Sequence, residues 1–198
     1  MDYVTEIKRV GGVAHVTCFS GETLAVPSPL FLERRLRVRQ PIDPEEYRAF
    51  MTRRGYPHAL NAAVNFLALR ERSTREIRDR LRRSCYDPAV IDRVIDTLAA
   101  HTLVSDSRFS EQWVEKRARK YGRNRIAQEL RHKGIDSGTA DQALDALPEE
   151  EEAEQALRQA RKMTRRLQED PQKITQALVR RGYSWRIARD AAQLALKE

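Results

Sequence analysis

The chain has few cysteines, no long apolar run and no leader-like start, and each of these absences narrows its class. Cys18 and Cys85 are its two cysteines among 198 residues, which argues against a disulfide-stabilised scaffold and fits a reducing compartment. No apolar run approaches the length of a membrane helix, and the first residues lack the basic-then-apolar pattern of a secretory signal. We therefore expect a cytoplasmic protein without a membrane segment.

Patterns that carry catalysis or bind metals are also lacking. The sequence contains no phosphate-binding glycine-rich loop and no G-x-S-x-G motif. Its four histidines are scattered, and together with two distant cysteines they offer no metal-ligand spacing. We accordingly expect a protein that is not an enzyme and that needs no cofactor or metal ion.

Positive charge is abundant and unevenly distributed. Lysine and arginine total 37 against 29 aspartates and glutamates, which gives a net charge of +8. Residues 1–50 contain seven bases and seven acids, so the whole excess lies in residues 51–198. An arginine-rich surface suits partners that carry phosphate or carboxylate groups.

Residues 1–42 have the pattern of a small β segment. Two runs rich in valine, threonine and aromatics, Tyr3–Val10 and Val13–Phe19, flank Gly11-Gly12, which is a hairpin signal. A short third strand is predicted over 23–26. Because two or three small strands are not stable alone, the sheet should pack against something helical.

The rest of the chain has helical patterns. A short helix capped by Ser28 is predicted to run to Leu36. Asp43, followed by Pro44 and two glutamates, is a stronger helix start, and we expect Gly55-Tyr56-Pro57 to interrupt that helix. From Pro57 onward no segment predicts a strand.

A repeat with offsets of 49 and 48 residues organises the helical part. In each copy an isoleucine and a leucine four residues on form one apolar stripe. Eight residues on from the isoleucine, glycine ends the helix in a left-handed conformation, and two residues later aspartate or serine caps the next helix. Cys85 replaces the glycine in the first copy, so either a left-handed backbone there costs about 1 kcal/mol or the first turn is built differently. The aligned positions are Ile77, Leu81, Cys85 and Asp87; Ile126, Leu130, Gly134 and Asp136; and Ile174, Leu178, Gly182 and Ser184.

A helix precedes each copy, so every unit becomes a three-helix bundle. Its last two helices resemble a helix-turn-helix, although ordinary packing of two short helices gives the same pattern and is the favoured explanation. Units of this size that each bury little favour an extended chain of modules over one globule. We predict a mainly α-helical protein in four segments: a β-hairpin and short helix in 1–42, a first repeat with its leading helix in 43–105, a second in 106–148 and a third in 149–198.

Each repeat carries a cluster of basic residues. A single cluster is as well explained by a solvated helix face, but three clusters with a remaining positive charge favour binding. Trp113 and Trp185 are expected in the core. The candidate contact residues are Arg70, Arg72, Arg75, Arg78 and Arg82; Lys116, Arg119, Lys120, Arg123, Arg125, Arg131 and Lys133; and Arg158, Arg161, Lys162 and Arg165.

Three blocks of sequence resemble the RecX family of bacterial recombinase regulators. They are the block over 62–77 with Leu81, the block over 103–110, and the block over 122–135, GRNRIAQELRHKGI, which matches most closely. The resemblance covers 57–147 well, 148–198 only through the repeat, and 1–56 hardly at all. The departures from the family pattern are Ser105, Ser110 and Cys85, and they affect local packing alone.

The resemblance implies a protein that binds RecA and its filament on DNA, lodges in the filament groove, and inhibits strand exchange and ATP hydrolysis. It implies effects on filament growth or disassembly in DNA repair and the SOS response, and three tandem repeats in an elongated, curved array. We expect a monomer whose inner face carries the basic clusters. Direct binding to single- or double-stranded DNA stays open, and so do two alternatives, a direct DNA-binding helix-turn-helix protein and a helical scaffold for another acidic partner.

Overall fold

The prediction of a mainly α-helical protein with a small N-terminal β segment is confirmed. The computed structural model describes residues 2–197, which contain ten α-helices and four strands. The chain divides into a first unit, Met1–Val104, and a second unit, Ser105–Glu198. None of the helices in 2–197 combines the length and the apolar composition that crossing a membrane requires.

The first unit begins with an antiparallel sheet of order β3-β2-β1-β4. Val10 pairs with Val13 across Gly11-Gly12, and these glycines have φ angles of 58° and 87°, as a two-residue type I′ turn requires. The sequence prediction lacks the fourth strand, because two residues carry no alternating pattern. The strands are β1 (Asp2–Val10), β2 (Val13–Cys18), β3 (Thr23–Pro27) and β4 (Pro41–Ile42).

Four helices complete the first unit, and the sheet shares one buried core with them, with members from Val4 to Val104. The expectation that the sheet packs on helices is thereby confirmed. The helices are α1 (Ser28–Glu33), α2 (Pro44–Leu67), α3 (Thr74–Arg83) and α4 (Pro88–Ala100).

The predicted extent and cap of α1 are wrong. The helix ends at Glu33 and not at Leu36, because Arg34 leaves the helical region with φ −127° and ψ 81°. Ser28 is the first helical residue and makes no side-chain cap. Its backbone N–H donates instead to the Gly12 carbonyl at 2.9 Å, which anchors the helix start to the hairpin turn.

The predicted interruption of α2 at Gly55-Tyr56-Pro57 is also wrong, because the helix continues through Pro57. A proline inside a helix costs about 3 kcal/mol through a lost hydrogen bond and a steric clash. Pro57 and Arg53, whose carbonyl loses its partner, are both exposed, so water can replace the bond. Burial of Tyr47 and Ala59 in the core of the first unit offsets the remaining penalty.

The second unit contains two three-helix repeats, each with its own buried core. Trp185, expected in a core, is 62% exposed, because its helix turns Ile187 and Ala188 inward instead. Trp113 is half-buried and stacks on Phe109, with ring centroids 5.5 Å apart. The helices are α5 (Asp106–Ala118), α6 (Arg123–His132), α7 (Ser137–Asp145), α8 (Glu149–Met163), α9 (Pro171–Arg180) and α10 (Trp185–Ala195), with a 3-10 turn at Arg165–Leu167.

The turn between the last two helices of each repeat has the predicted structure in all three copies. The aligned isoleucines and leucines are fully buried, and the aspartate or serine caps the following helix in each copy. Gly134 and Gly182 have φ angles of 81° and 91°, and Cys85 has a φ of 60°. Cys85 therefore adopts the left-handed conformation that its Cβ disfavours.

Candidate functional site

The predicted contact residues around α3 lie beside carboxylates. Asp79 is 3.8 Å from a guanidinium nitrogen of both Arg75 and Arg82, and Arg70 binds Glu76 at 3.0 Å. The three arginines remain 42–65% exposed, where an ion pair contributes about 1 kcal/mol or less. Pairing therefore lowers the net charge of this cluster without holding it rigidly.

Two further candidates of the first unit have structural contacts. Arg78 forms an ion pair with Asp92 and so joins α3 to α4. The Arg72 guanidinium lies 3.9 Å from the centroid of the Phe66 ring and donates to the Phe66 carbonyl at 3.4 Å. Burial lowers the pKa of Arg72, and the charge of Arg70 adds to this effect. Substituting Arg72 or Arg78 would thus disturb packing as well as any partner contact.

Arg123 of the second unit is half-buried and joins two helices through a buried carboxylate. Its backbone N–H donates to Glu152 Oε1 at 2.9 Å, and its Nε lies 3.3 Å from Glu152 Oε2. Its guanidinium also donates to the Leu147 carbonyl. Glu152 is only 4% exposed, so this pair links α6 to α8 and is unsuited to a transient partner contact.

The start of α6 is bound to the turn that follows α9. The N–H of Gly122 donates to the Arg181 carbonyl at 3.0 Å, and the N–H of Asn124 donates to the Gly182 carbonyl at 3.1 Å. The first N–H groups of a helix lack partners within it, and here the third repeat supplies them. The two backbones touch so closely that a Cβ on Gly122 would lie 2.4 Å from the Gly182 oxygen.

Glu129 on α6 collects three donors from neighbouring side chains. Trp113 Nε1 donates to it at 3.1 Å, Arg117 Nε at 2.7 Å and Arg125 Nε at 3.3 Å. Burial alone would raise the pKa of Glu129, but the hydrogen bond and charge of Arg117, with help from Arg125 and Trp113, bring it below the ordinary value. The guanidinium carbons of Arg117 and Arg125 also lie 4.3 and 4.4 Å from the centroid of the Tyr121 ring.

Lys133 and two arginines of α8 complete the set of engaged candidates. The ammonium of Lys133 lies 5.1 Å from the centroid of the Trp113 ring. Arg158 binds Glu154 at 3.1 Å, and Arg161 also interacts with a neighbouring group.

The remaining candidates are cations without a carboxylate partner among residues 2–197, and all of them belong to the second unit. They are Lys116, Arg119, Lys120, Arg131, Lys162 and Arg165. Arg166, next to Arg165, and Arg181, after α9, share this property. Unneutralised cations at this density form a local positive field that attracts anions.

A surface notch of about 580 Å³ brings four of these cations together. We call it the cationic notch; it is lined by Arg119, Lys120, Tyr121, Gln159, Lys162 and Arg181. No carboxylate lines it. Gln159 and Arg181 were not among the predicted contact residues, since a glutamine carries no charge signal and Arg181 lies in the repeated turn. Across residues 2–197, no group of three or more histidine, cysteine, aspartate or glutamate side chains has an arrangement able to hold a metal ion.

The comparisons with known proteins agree on one family. Residues 59–98 match the family model described as the first three-helix domain of RecX, and residues 105–144 match the second three-helix domain. A regulatory protein RecX of Clostridioides difficile is 31% identical over 171 residues, which are 83% of this chain and 80% of that protein. A regulatory protein RecX of Mycobacterium ulcerans is 38% identical over 134 residues, covering 63% of this chain and 77% of that protein.

A solved structure gives the same answer for the fold. The crystal structure of RecX from Lactobacillus salivarius matches with a TM-score of 0.65 and 27% identity, over 71% of this chain and 96% of that one. The family-model matches lie within the three-helix repeats, where the repeated turns and caps lie. The chain is therefore a member of the RecX family of regulatory proteins.

Proposed function

We propose that this protein regulates a RecA-type recombinase without catalysing a reaction itself. It binds the recombinase and its filament on DNA, inhibits ATP hydrolysis and strand exchange, and modulates filament growth or disassembly. The observation that carries the proposal is a surface notch in the second unit of a RecX-family chain, lined by four cations and no carboxylate. A filament wound on DNA is a polyanionic partner, and a positive surface both attracts and orients on such a partner.

Direct sequence-specific DNA binding is the alternative that the helix-turn-helix pattern raises. Such proteins insert the second helix of the motif into the major groove, between two rows of phosphates. Here α7 carries Asp141 and Asp145 and no lysine or arginine, and α4 exposes Asp92 and Asp96 beside Arg93. The third such helix, α10, carries Arg186 and Arg189, but both are paired, with Glu149 and Asp190. Carboxylates on α4 and α7 repel phosphates, and the arginines of α10 are already paired, which favours the recombinase assignment.

The proposal is tested by the ATPase activity of a bacterial RecA on single-stranded DNA while this protein is titrated in at fixed salt. We expect inhibition at concentrations well below those at which the protein alone coats the DNA. No inhibition, or inhibition only when the DNA is saturated, would contradict the proposal and indicate simple competition for phosphates.

A charge-reversal pair tests which surface is used. Lys116→Glu with Arg131→Glu reverses two unpaired cations, and we expect it to raise the concentration needed for half-inhibition by at least about tenfold. Lys173→Glu with Arg189→Glu makes the same change in net charge at cations that are paired with Asp170 and Asp190. Equal effects of the two variants would show that only total charge matters.

A further inference from the structure

We propose that the cationic notch holds a phosphate of a nucleic-acid backbone and that free cations beyond the notch continue this contact along the strand. The inference deepens the proposed function and rests on it, since the partner is a filament that contains DNA. Its ligand class is a phosphodiester backbone, bound without regard to base sequence.

The first support is the charge balance of the cationic notch. Arg119 and Lys120 follow the end of α5, Lys162 lies on α8, and Arg181 follows α9, so three separate segments bring positive charge to one concave surface. None of the four has a carboxylate partner among residues 2–197, and no acid lines the notch. Like charges gathered in this way repel one another, and a bound anion removes the repulsion.

The second support is a chain of neutral hydrogen bonds that orients Arg181. Its guanidinium donates to Gln159 Oε1 at 2.8 Å, and Gln159 Nε2 donates to the Arg119 carbonyl at 3.2 Å. Gln159 is 8% exposed, and the Arg181 carbonyl is fixed by the N–H of Gly122. An arginine held by a neutral partner keeps its full charge, and its planar fork matches two phosphate oxygens.

The third support is the continuation of free charge outside the notch. Arg165 and Arg166 follow Lys162 within one turn, and neither has a carboxylate partner in the described part of the chain. A row of cations longer than one phosphate suits a polymer of phosphates better than a single free anion.

The cationic notch offers no free aromatic ring on which a base could stack. Tyr121 is the aromatic residue of the notch, and its ring already has the Arg117 and Arg125 guanidinium groups within 4.4 Å of its centroid. A base would have to displace one of them to stack there. We therefore expect binding that depends on the backbone and varies little with sequence.

The test measures binding of a fluorescently labelled single-stranded oligothymidine over a series of salt concentrations. Lys120→Gln with Lys162→Gln removes two contacts from the notch. Each lost phosphate contact lowers the slope of log affinity against log salt by about 0.7, which corresponds to about fivefold weaker binding at roughly 0.1 M salt. For the double variant we expect a slope smaller by about 1.4 and binding about 25-fold weaker.

The matched control is Lys173→Gln with Lys197→Gln, which removes the same charge from exposed lysines of the same unit outside the notch. It should keep the wild-type slope. Equal slopes and affinities for the two double variants would overturn the notch assignment, and so would a wild-type protein that binds no DNA. An abasic oligonucleotide should bind as well as oligothymidine, and a large loss with it would show that bases are read.

Two further measurements are needed. One distinguishes a free phosphate ion from a nucleic-acid backbone as the ligand of the notch, and the other distinguishes failure of this inference from failure of the proposed function. Tight binding of inorganic phosphate to the wild-type protein alone, lost in Lys120→Gln with Lys162→Gln, would assign the notch to a free anion and overturn the nucleic-acid inference. RecA ATPase inhibition is then measured with the same proteins. Wild-type inhibition without notch-dependent DNA binding refutes the inference alone, whereas notch-dependent DNA binding without inhibition refutes the proposed function and leaves the phosphate site.

Discussion

Replacing Gly122 by alanine should destabilise the second unit, although the backbone angles of Gly122 are ones that any residue adopts. Gly122 has φ −79° and ψ 165°, so alanine fits the conformation and would even gain about 0.4–1 kcal/mol through the unfolded chain. Its Cβ, however, would lie 2.4 Å from both the Gly182 oxygen and the Tyr183 nitrogen. Both are backbone atoms, which cannot rotate away as a side chain can. The start of α6 and the turn after α9 would therefore have to move apart.

Opening the contact breaks the two hydrogen bonds that Gly122 and Asn124 donate to the turn after α9. Each buried group left without a partner costs about 1–3 kcal/mol. After subtracting the gain in the unfolded chain and allowing water to reach the opened groups, we expect a net loss of about 2–4 kcal/mol in the free energy of unfolding.

Tryptophan fluorescence during urea unfolding measures this loss directly, because Trp113 and Trp185 both lie in the second unit. With a urea dependence of about 1–3 kcal/mol per molar, the midpoint should fall by roughly 1 M or more. Gly138→Ala is the control, since a Cβ there would meet only Asp136 Oδ1 at 3.3 Å. If Gly122→Ala proved as stable as Gly138→Ala, the close backbone contact would not hold the two repeats together.

Two other predictions concern Glu129 and Cys85. Since the pKa of Glu129 is lowered in the folded protein, its ion pairs stabilise the fold above its ordinary pKa of about 4.3, and this stability is lost as the pH falls below that value. Glu129→Gln should therefore be less stable at pH 7 and lose less stability than the wild type between about pH 5 and 3, as followed by tryptophan fluorescence; equal losses would contradict this. Cys85→Gly removes the Cβ from a left-handed residue and should stabilise the first unit by up to about 1 kcal/mol, measured by far-UV circular dichroism in urea; a destabilised variant would show that packing of the thiol outweighs backbone strain.

The parts of the fold that the sequence predicted are those encoded locally, in one helix and the turn that follows it. The cap and the buried Ile–Leu stripe are local signals present in all three copies, and the glycine that ends the helix is present in two, as Gly134 and Gly182. Pro57 is a local signal too, but it is overridden because burial elsewhere along α2 stabilises the unbroken helix. The short strand Pro41–Ile42 depends wholly on pairing with β1, which no pattern in two residues can indicate.

The basic residues of the candidate site could be found from the sequence. Which of them have no carboxylate partner could not. Neutralising partners come from distant positions, as Asp92 does for Arg78 across 14 residues and Glu152 for Arg123 across 29. Which cations remain unpaired is therefore a property of helix packing. The orientation of Arg181 by a glutamine 22 residues away is likewise set by tertiary structure.

The hydrogen bonds between the start of α6 and the turn after α9 have a consequence for synthesis of the chain. The carbonyls that accept its first N–H groups belong to residues 181 and 182, about 60 positions later in the sequence. At a translation rate of roughly 5–20 residues per second, that helix waits about 3–12 s on the ribosome for its partners. A chain truncated before Arg181 keeps the Glu152 acceptor for the Arg123 N–H but leaves the N–H groups of Gly122 and Asn124 without these two acceptors.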